Sequence, residues 1–474
     1  MLALFNGAQV FLSSSALLTL SSFVSAAQTS FQINGHKYSV DNIITRDISI
    51  IGGGSSGTYS AIQLRDAGKS VAVIEQTGRL GGHTQTYIDP TTGTPIDYGV
   101  DFFHHLEVVT NYFARLNVSL TTSSTGASGI IQDYADFATS TLVAAPTGNL
   151  TAALGIWAEQ IAKYPYLDYG FDLPDPVPED FLLTFVEFAQ KYNLSALLPF
   201  AWTFTQGVGD FRKTPMLYFL KGIGPEDLSD LQNGFLTTAL HDNSLLYLSA
   251  QNVLGSDVFY NSTILDVERS NRNGVSIIVK QGSKLTLIKS TQLVVAIQPT
   301  LSNLAPFDLA DSESDIFGKF KYTQYVTSIL NNTGIPSNVS INGIDPSLEF
   351  SIPAPPALYG TVTTGLPGLQ HAYYIATDPS TTDSEIEAAI LSQVKNIQFP
   401  GKRSSNPDIV VSSNHQPFTL QVGADDIKDG FYKKLYALQG KRRTWWVGAT
   451  WHTHDSSLIW RFVEGLLPNV TAAL

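Results

Sequence analysis

The chain has no cysteine, few basic residues and no long apolar run. The absence of cysteine among 474 residues excludes a disulfide framework, a thiolate metal site and a cysteine nucleophile. Lys and Arg number 28 against 41 Asp and Glu, so a formal net charge of -13 gives no basic surface for a nucleic-acid partner. No segment contains the ~18 consecutive apolar residues that would indicate a membrane span.

Residues 1–27 also lack Lys and Arg, but otherwise have the features of a signal peptide. A short apolar run at 17–24 is followed by the small residues Ser25 and Ala26, typical of a cleavage site. Seven Asn-x-Ser/Thr acceptors favour the same route: Asn117, Asn149, Asn193, Asn261, Asn331, Asn338 and Asn469. We therefore predict a glycoprotein that is secreted or in a secretory-pathway compartment; a frayed apolar N-terminus is the alternative.

A glycine-rich turn follows the first buried strand of the chain. Residues 47–51 are apolar enough for that strand, and Gly52, Gly54 and Gly57 then fit the pattern G-x-G-x-x-G at the start of a helix. Such a turn brings backbone N–H groups and the positive end of a helix dipole to a pyrophosphate. Glu75 ends the next apolar run, at the ~20-residue distance where a carboxylate accepts hydrogen bonds from a ribose.

The same stretch also fits G-x-S-x-G, the nucleophile elbow of α/β-hydrolases, with Ser55 as nucleophile. Two features disfavour a serine hydrolase. Too little chain precedes this strand to supply an oxyanion loop, and a hydrolase does not explain Glu75. Nor does it explain a second glycine turn, residues 78–83, in which Gly81 and Gly82 follow Arg79. A second close backbone approach suits a cofactor that extends beyond its pyrophosphate, as a flavin does.

These motifs, with Asp97-Tyr98-Gly99 and Trp446-Val447-Gly448-Ala449, resemble the FAD-dependent amine-oxidase superfamily. Within it the chain is most similar to the fungal β-cyclopiazonate dehydrogenase type, and also to polyunsaturated fatty acid isomerases. The resemblance implies FAD as cofactor and a set of residues around it. These are Gly52, Gly54, Ser56, Gly57, Glu75, Arg79, Gly82, Gly99, Val100, Asp101, Ile264, Gly448, Ala449, Ser457 and Leu458.

The sequence departs from the amine oxidases at two points. Lys319 and Lys321 do not align with their flavin-side lysine, where Tyr325 stands instead, and Leu458 replaces an expected aromatic residue. The resemblance therefore implies hydride removal from an activated C–H bond rather than ordinary amine oxidation. No second G-x-G-x-x-G is present, so electrons would pass to O₂ or another acceptor. A redox-neutral double-bond isomerase of unsaturated lipids and a non-catalytic flavin-fold protein are the alternatives.

The catalytic residues are less well indicated by the sequence. Candidates for acid or base are His452, His454 and Tyr325. His452 and His454 at i and i+2 would share one face of a strand, but a third metal ligand is missing, so we predict no metal site. Eight aromatic residues could line an apolar substrate cavity, and we expect three or four to do so: Phe102, Phe103, Phe200, Trp202, Phe204, Tyr359, Tyr373 and Trp451.

The predicted fold class is α/β, a doubly wound Rossmann-like FAD domain with an inserted α+β substrate domain. We assign residues 44–105, 215–300 and 425–470 to the FAD domain, and 106–214 and 301–424 to the substrate domain. Residues 28–43 are predicted as a polar lead-in and 105–220 as mainly helical, with a helix from Pro178 and a turn at 198–204. Further predictions are strands within 255–298, a helix at 382–396, a last strand at 444–450 and a helix from Ser456.

Overall fold

A computed structural model describes residues 29–123, 129–270, 272–397 and 406–474. The predicted signal peptide lies outside these residues. The strands are β1 (Thr29–Ile33), β2 (His36–Val40), β3 (Asn42–Ile51), β4 (Val71–Ile74), β5 (Thr86–Ile88), β6 (Pro95–Asp97), β7 (Leu120–Ser123), β8 (Ile131–Asp136), β9 (Thr141–Leu142), β10 (Phe235–Thr238), β11 (Val258–Phe259), β12 (Ser262–Ser270), β13 (Gly274–Gln281), β14 (Lys284–Val295), β15 (Lys321–Asn331), β16 (Val339–Gly343), β17 (Ala357–Thr363), β18 (Leu369–Ala376), β19 (Asp408–Asn414), β20 (Phe418–Gln421) and β21 (Thr444–Trp446).

The helices alternate with these strands along the chain. They are α1 (Ser55–Asp66), α2 (Glu107–Arg115), α3 (Leu150–Ile161), α4 (Phe185–Tyr192), α5 (Leu198–Phe204), α6 (Met216–Leu220), α7 (Pro225–Asn233), α8 (Ser244–Leu254), α9 (Asp311–Phe317), α10 (Asp383–Asn396), α11 (Ala424–Lys428), α12 (Phe431–Tyr436) and α13 (Ser456–Ala472). Among the described residues, none of these helices combines the length and the apolarity needed to cross a membrane.

The first sheet is built around a parallel core. Its strand order is β11-β4-β3-β14-β13-β12, and β21 pairs with β14. Strands β11, β4, β3, β14 and β21 run parallel, whereas β12, β13 and β14 form an antiparallel meander. Alternate residues of β3 enter two different cores, with Ile48 and Ile50 on one side and Ile51 on the other. Both faces are covered, which explains why these strands read as unbroken apolar runs.

The second sheet is mainly antiparallel. Its order is β19-β15-β18-β17-β16-β8-β9, with β20 paired to β15. The helix α10 packs its buried residues Ile386, Ile390 and Val394 on it. The predicted α/β fold with a parallel dinucleotide-binding sheet is confirmed. Strands of the second sheet lie within 106–214 and 301–424, but the domain boundaries themselves stay a prediction.

Several element predictions were wrong for identifiable reasons. The lead-in 28–43 contains the hairpin β1–β2, which turns at Asn34 and Gly35, both with positive φ. An Asn-Gly pair flanked by alternating apolar and polar residues indicates a hairpin. The prediction gave more weight to the polar composition of the segment than to this pair. The described parts of 120–142, predicted as helical, contain β7, β8 and β9. The pairing of β7 with β10, more than 100 positions away, is not visible locally.

Two helix boundaries also differ from the predictions. Pro178 precedes only a short 3₁₀ turn, and α4 begins after Thr184, whose hydroxyl accepts the N–H of Glu187 at 3.2 Å in a capping box. The predicted turn at 198–204 is the helix α5, because Pro199 in the first helical turn loses no hydrogen bond. The last strand ends at Trp446 rather than Thr450, since Gly448 adopts a φ of 105°.

Candidate active site

The glycine turn between β3 and α1 has the shape of a cradle. Gly52 has a φ of 100° and donates its N–H to the carbonyl of Ile74 at 2.9 Å, which ties the turn to the neighbouring strand. A Cβ on Gly57 would lie 1.9 Å from the carbonyl oxygen of Gly52, so helix and strand approach too closely for any side chain. A Cβ on Gly54 would meet nothing nearer than the Cα of Gly82, at 3.8 Å. A Cβ on Gly82 would lie only 3.0 Å from the Cα of Gly54, so the two glycine turns pack closely and only Gly54 has room for a methyl group.

Glu75 connects this turn with the segment after β4. Its Oε2 accepts the N–H of Gly53 at 2.8 Å, and its Oε1 accepts the N–H of Thr77 at 2.7 Å. The N–H of Gly81 donates in turn to the carbonyl of Gly53 at 2.8 Å. The carboxylate is buried but retains lone pairs for further donors. The sequence placed Glu75 at a ribose-binding position, and the structure brings it to the edge of the cradle.

Arg79 is held by its own turn. Its guanidinium donates to the carbonyls of Gly82 at 2.7 Å and Thr84 at 2.8 Å. The side chain therefore stabilises the second glycine turn in this structure, and its positive charge remains at the cradle's rim. Ser56, also predicted here, is buried at the start of α1, and its hydroxyl lies beside Gly448, where a Cβ would stand 3.4 Å from it.

Hydroxyl and N–H groups without partners surround the same space. Within the described residues, the buried hydroxyls of Thr84 and Tyr247 have no partner in hydrogen-bond geometry, although the Tyr247 hydroxyl lies near those of Thr84, Ser55 and Ser456. At the start of α13, Asp455 accepts the N–H of Leu458 at 2.8 Å. The N–H groups of Ser456 and Ser457 meet no acceptor in the described part of the chain. Orphaned donors beside an open glycine cradle fit the phosphates and ring edges of a dinucleotide cofactor.

The predicted flavin-side segment 99–101 is held by Asn243, the residue that precedes α8. A Cβ on Gly99 would lie 1.9 Å from the carbonyl oxygen of His83, so this position also needs glycine. The side-chain amide of Asn243 donates to the carbonyls of Val100 at 2.8 Å and Asp101 at 2.9 Å. Asn243 was not identified from the sequence, because nothing near it in the chain indicates a partner 140 positions earlier.

Asp101 carries an unusual carboxyl group. The residue is partly accessible, yet its Oδ1 is enclosed and has no hydrogen-bond partner. Burial raises the pKa of the Asp101 carboxyl well above its usual value, and nearby Asp97 raises it further. Burial also raises the pKa of Asp97, to about 7, although hydrogen bonds from Thr86 and Asn243 partly oppose this. The raised pKa favours the neutral Asp101 carboxyl, which can donate a hydrogen bond.

The remaining predicted cofactor residues lie on three elements. Ile264 lies near the start of β12, two positions after Ser262, whose N–H donates to the carbonyl of Glu75 at 3.0 Å. Gly448 and Ala449 follow β21 beside the start of α1. Ser457 accepts the backbone N–H of His104 at 3.0 Å. These contacts connect segments from both ends of the chain, and the roles of the predicted residues toward FAD stay predictions.

The three catalytic candidates separate into two places. Tyr325 and His454 belong to an imidazole–aromatic cluster that also contains residues from the second sheet. The cluster consists of His83, Tyr325, Tyr373, His415, Phe418 and His454. His452 lies elsewhere, with Nε2 at 2.8 Å from the carbonyl of Asp168 and 3.4 Å from the Lys221 ammonium. Neither histidine is on a strand, so the predicted shared face was wrong.

The imidazole rings of the cluster are uncharged. His83 stacks on His415 with ring centroids 4.4 Å apart, and His454 stacks on Phe418 at 3.7 Å. Burial lowers the pKa of His83 to about 4, with a further contribution from Arg79, and lowers the pKa of His415 and His454 well below their usual value. His454 Nε2 accepts the backbone N–H of Thr419 at 2.9 Å, which is consistent with a neutral ring. His415 was missed because its partners are distant in sequence.

Only some of the eight aromatic residues that the sequence suggested for a substrate cavity are placed where they could line it. Phe103, Trp202, Tyr359 and Trp451 are at most 1% exposed and belong to the hydrophobic cores. Phe102 is 45% exposed. Tyr373 stacks parallel to Tyr325 at 6.5 Å and remains the best placed of the set.

The hydrolase alternative has no support in the geometry. Ser55 donates to the hydroxyl of Ser456 at 2.9 Å. Across the residues that the structure describes, no imidazole hydrogen-bonds with Ser55, so it lacks the base that a serine nucleophile requires.

Comparison with known proteins agrees with this geometry. Residues 50–116 match the model of the NAD(P)-binding Rossmann-like domain. The FAD-dependent oxidoreductase oblC of Cochliobolus heterostrophus is 39% identical, over 96% of this chain and 97% of its own. The β-cyclopiazonate dehydrogenase of Aspergillus flavus is 34% identical, over 96% of this chain and 99% of its own.

A solved structure gives the same answer for the fold. The crystal structure of a fatty acid isomerase from P. acnes superposes with a TM-score of 0.73 over 90% of this chain and 98% of its own. At 18% identity this likeness concerns the fold alone. The resemblance drawn from the sequence motifs is confirmed, and so is FAD as the cofactor. The chain belongs to the family of fungal FAD-dependent oxidoreductases that includes β-cyclopiazonate dehydrogenase.

Proposed function

We propose that this enzyme removes a hydride from an activated C–H bond of a small, uncharged organic metabolite. One observation carries the proposal. His83 directly follows the cradle glycine Gly82 and stacks on His415 at 4.4 Å. The cofactor cradle and the imidazole–aromatic cluster therefore share a wall, and a substrate lying against that cluster would be next to the cofactor.

The cofactor would be held by the residues that form the cradle. Gly52 and Gly57 allow the tight turn and the close approach of helix and strand, and Gly54 leaves room for the pyrophosphate. Glu75 would accept hydrogen bonds from the adenosine ribose, and the start of α13 would lie at the flavin end. When bound, FAD supplies an acceptor for a hydride and transfers the electrons onward. Asp101, Tyr325 and Tyr373 would then orient the substrate, and the apolar rings would exclude water.

The electrostatics of the cluster support an uncharged substrate. Its imidazoles are neutral because burial lowers their pKa values, as described above. Burial also raises the pKa of the Tyr325 and Tyr373 phenols well above their usual value. With Asp101 protonated, the side chains of the cluster carry no formal charge, and the charges nearest to them are those of Arg79 and the partly ionised Asp97. A cationic amine would lose its hydration without gaining a counter-ion, which is costly.

The relatives support the reaction class. One is named β-cyclopiazonate dehydrogenase, and so by its name removes hydrogen from an organic metabolite. We infer a substrate of similar character for this chain, with the reacting C–H next to nitrogen or a double bond. We further infer O₂ as the final electron acceptor, since no nicotinamide motif is present in the sequence.

Anaerobic mixing with two matched panels tests this proposal. Uncharged aromatic amides, indoles and polyenes form one panel, and aliphatic diamines form the other. We expect compounds of the first panel to bleach the flavin absorbance and to yield a product lacking two hydrogens, with peroxide formed on admitting air. Bleaching by the diamines alone would contradict the uncharged site, and a product of unchanged mass would identify a redox-neutral isomerase.

We also propose that the protein enters the secretory route. Six of its seven acceptor asparagines are exposed, and Asn331 is half-buried. Deglycosylation of protein from the native host should lower its mass, and an unchanged mass would contradict the proposal.

A further inference from the structure

A buried histidine with three carboxylates lies beneath the start of α13. The side chain of His104 is 2% exposed, and its Nδ1 is 2.8 Å from Oδ2 of Asp230. Its Nε2 faces Oδ2 of Asp455 at 3.5 Å and Oδ1 of Asp227 at 3.8 Å, without a hydrogen bond to either. These carboxylates come from two elements, α7 and the residue before α13. The arrangement plays no part in the proposed reaction.

The histidine acts on the helix end through two contacts. Its backbone N–H donates to the hydroxyl of Ser457 at 3.0 Å. Its ring faces Asp455, which caps α13 by accepting the N–H of Leu458. The same helix end reaches the cradle, because Ser456 accepts a hydrogen bond from Ser55 at 2.9 Å and the Trp460 indole donates to the Ser55 carbonyl at 3.3 Å.

The charges around His104 favour a cation. Burial alone would lower its pKa, but Asp455, Asp230 and Asp227 outweigh burial and raise the pKa of His104 to about 10. Asp227 is itself affected, since burial raises its pKa to about 7. His452 also interacts with His104, and its own pKa is lowered well below its usual value, mainly by burial. Glu226 acts on Asp227 and is paired with Arg461 at 2.6 Å, so the Arg461 cation has its own counter-ion. His104 is therefore the cation that faces the three carboxylates at neutral pH.

We propose that His104 is a positioning residue for the cofactor: its cation balances the carboxylates at the N-cap of α13 and so keeps that helix end attractive to anionic groups of FAD. A helix N-terminus binds anions through its free N–H groups and its dipole. An unbalanced carboxylate at the cap would oppose both effects. The inference rests on FAD binding at this cradle and is independent of the identity of the substrate.

The first test replaces His104 with glutamine. In His104→Gln the three carboxylates lose their cation, so apoprotein should bind FAD about tenfold more weakly. Reduction adds negative charge to the flavin, so the reduced cofactor should lose affinity by a further tenfold, which lowers the two-electron midpoint potential by about 30 mV. Affinity is measured by titrating apoprotein with FAD, and the potential by equilibration with reference dyes.

Its neighbour provides a matched control. His105 is exposed and contacts only the carbonyl of Gly234 through its ring, at 3.1 Å. His105→Gln makes the same chemical change one position away and should leave affinity and potential unaltered. An equal effect in both variants, or a folded His104→Gln with unchanged affinity and potential, would overturn the proposal.

A second variant separates charge from structure. Asp455→Asn keeps a good N-cap but removes one carboxylate, so it should raise the potential, opposite to His104→Gln. The double variant should return to within about twofold of the wild-type FAD affinity, because the two charge changes compensate. If His104→Gln fails to fold, the direction in which Asp455→Asn shifts the midpoint potential still tests the proposal. A lower potential in Asp455→Asn would show that the cap matters only structurally and would overturn the proposal.

Discussion

Single residues in this protein are placed by partners far along the chain. Asp101 is held by Asn243 through its carbonyl, while its carboxyl has an enclosed oxygen without a partner. A buried polar group without a hydrogen-bond partner normally lowers the stability of the fold, and such groups are concentrated at functional sites. Two single residues can therefore be tested, Asp101 on the substrate side and Glu75 on the cofactor side.

Replacing Asp101 with asparagine should stabilise the protein. A carboxyl whose folded pKa is raised opposes folding increasingly as pH rises above its unfolded value of ~3.9. We expect Asp101→Asn to gain about 1–3 kcal/mol of unfolding free energy at pH 7 and nothing at pH 3.5. Denaturant unfolding across that range measures the difference.

A control variant at Asp47 should change the unfolding free energy in the opposite direction. Asp47 accepts hydrogen bonds from Ser70 that lower the pKa of its carboxyl, so its ionised form stabilises the fold. Asp47→Asn should therefore lose stability at neutral pH and lose less as pH falls. A gain in Asp101→Asn that does not change with pH would show that the Asp101 carboxyl is not the cause.

Replacing Glu75 with glutamine should weaken both the turn and the cofactor site. The variant loses the charged acceptor of the Gly53 and Thr77 N–H groups, which costs about 1–3 kcal/mol. It also loses the carboxylate that would bind the ribose, so FAD affinity should fall about tenfold. The measurements are apoprotein unfolding and FAD bound per chain, with the exposed Glu159→Gln on α3 as control. Normal FAD content in Glu75→Gln would contradict the ribose assignment.

At the scale of elements, the two glycines of the cradle have different purposes. A Cβ at Gly57 collides with backbone at 1.9 Å, whereas a Cβ at Gly54 meets protein only at 3.8 Å. Gly57→Ala should therefore destabilise the apoprotein by about 2 kcal/mol or more, as an overpacked core does. Gly54→Ala should leave apoprotein stability within about 0.5 kcal/mol but reduce FAD binding, because the methyl group fills the cradle.

Each of these two variants serves as the control for the other. Both replace glycine with alanine within one turn, and only the room around each position differs. Apoprotein melting and FAD titration together give the answer. Equal loss of stability in both variants, or full FAD binding in Gly54→Ala, would show that the room beside Gly54 is not where the cofactor lies.

Elements were predictable where the signal was local. The β3–turn–α1–β4 unit and α10 follow from apolar runs, glycine spacing and caps that lie within about 30 residues. Strands β7 and β8 could not be found, because their neighbours β10 and β16 are distant in sequence. The two-residue strand β9 pairs only with β8 among the described residues, so it depends on the same distant contact. In the site, the cradle glycines and Glu75 were identified. His415 and Asn243 were not, since each acquires its role from a contact with a residue more than 80 positions away.

At the scale of the whole molecule, buried charge links pH to stability. His104 has a folded pKa of about 10, above its unfolded value of ~6.5. A raised histidine pKa contributes stability that is fully present below pH ~6.5 and is lost as pH rises through the folded value. We therefore expect the difference in unfolding free energy between wild type and His104→Gln to shrink by a few kcal/mol from pH 6.5 to pH 10.5.

Denaturant titrations of both proteins at several pH values check this prediction. Using the difference between them removes the contribution of groups that His104 does not influence, such as Asp97, and leaves that of His104 with its three carboxylates. A difference that stays constant, or one that grows with pH, would show that His104 is neutral in the folded protein.

The central claim is that the glycine cradle holds one FAD per chain that accepts electrons from an organic substrate. The most direct measurement is the absorption spectrum of the purified protein, before and after anaerobic addition of a strong reductant. We predict flavin bands near ~450 nm at about one FAD per chain, and reversible bleaching on reduction. Purified protein that shows no flavin bands and gains none when FAD is added would contradict the account.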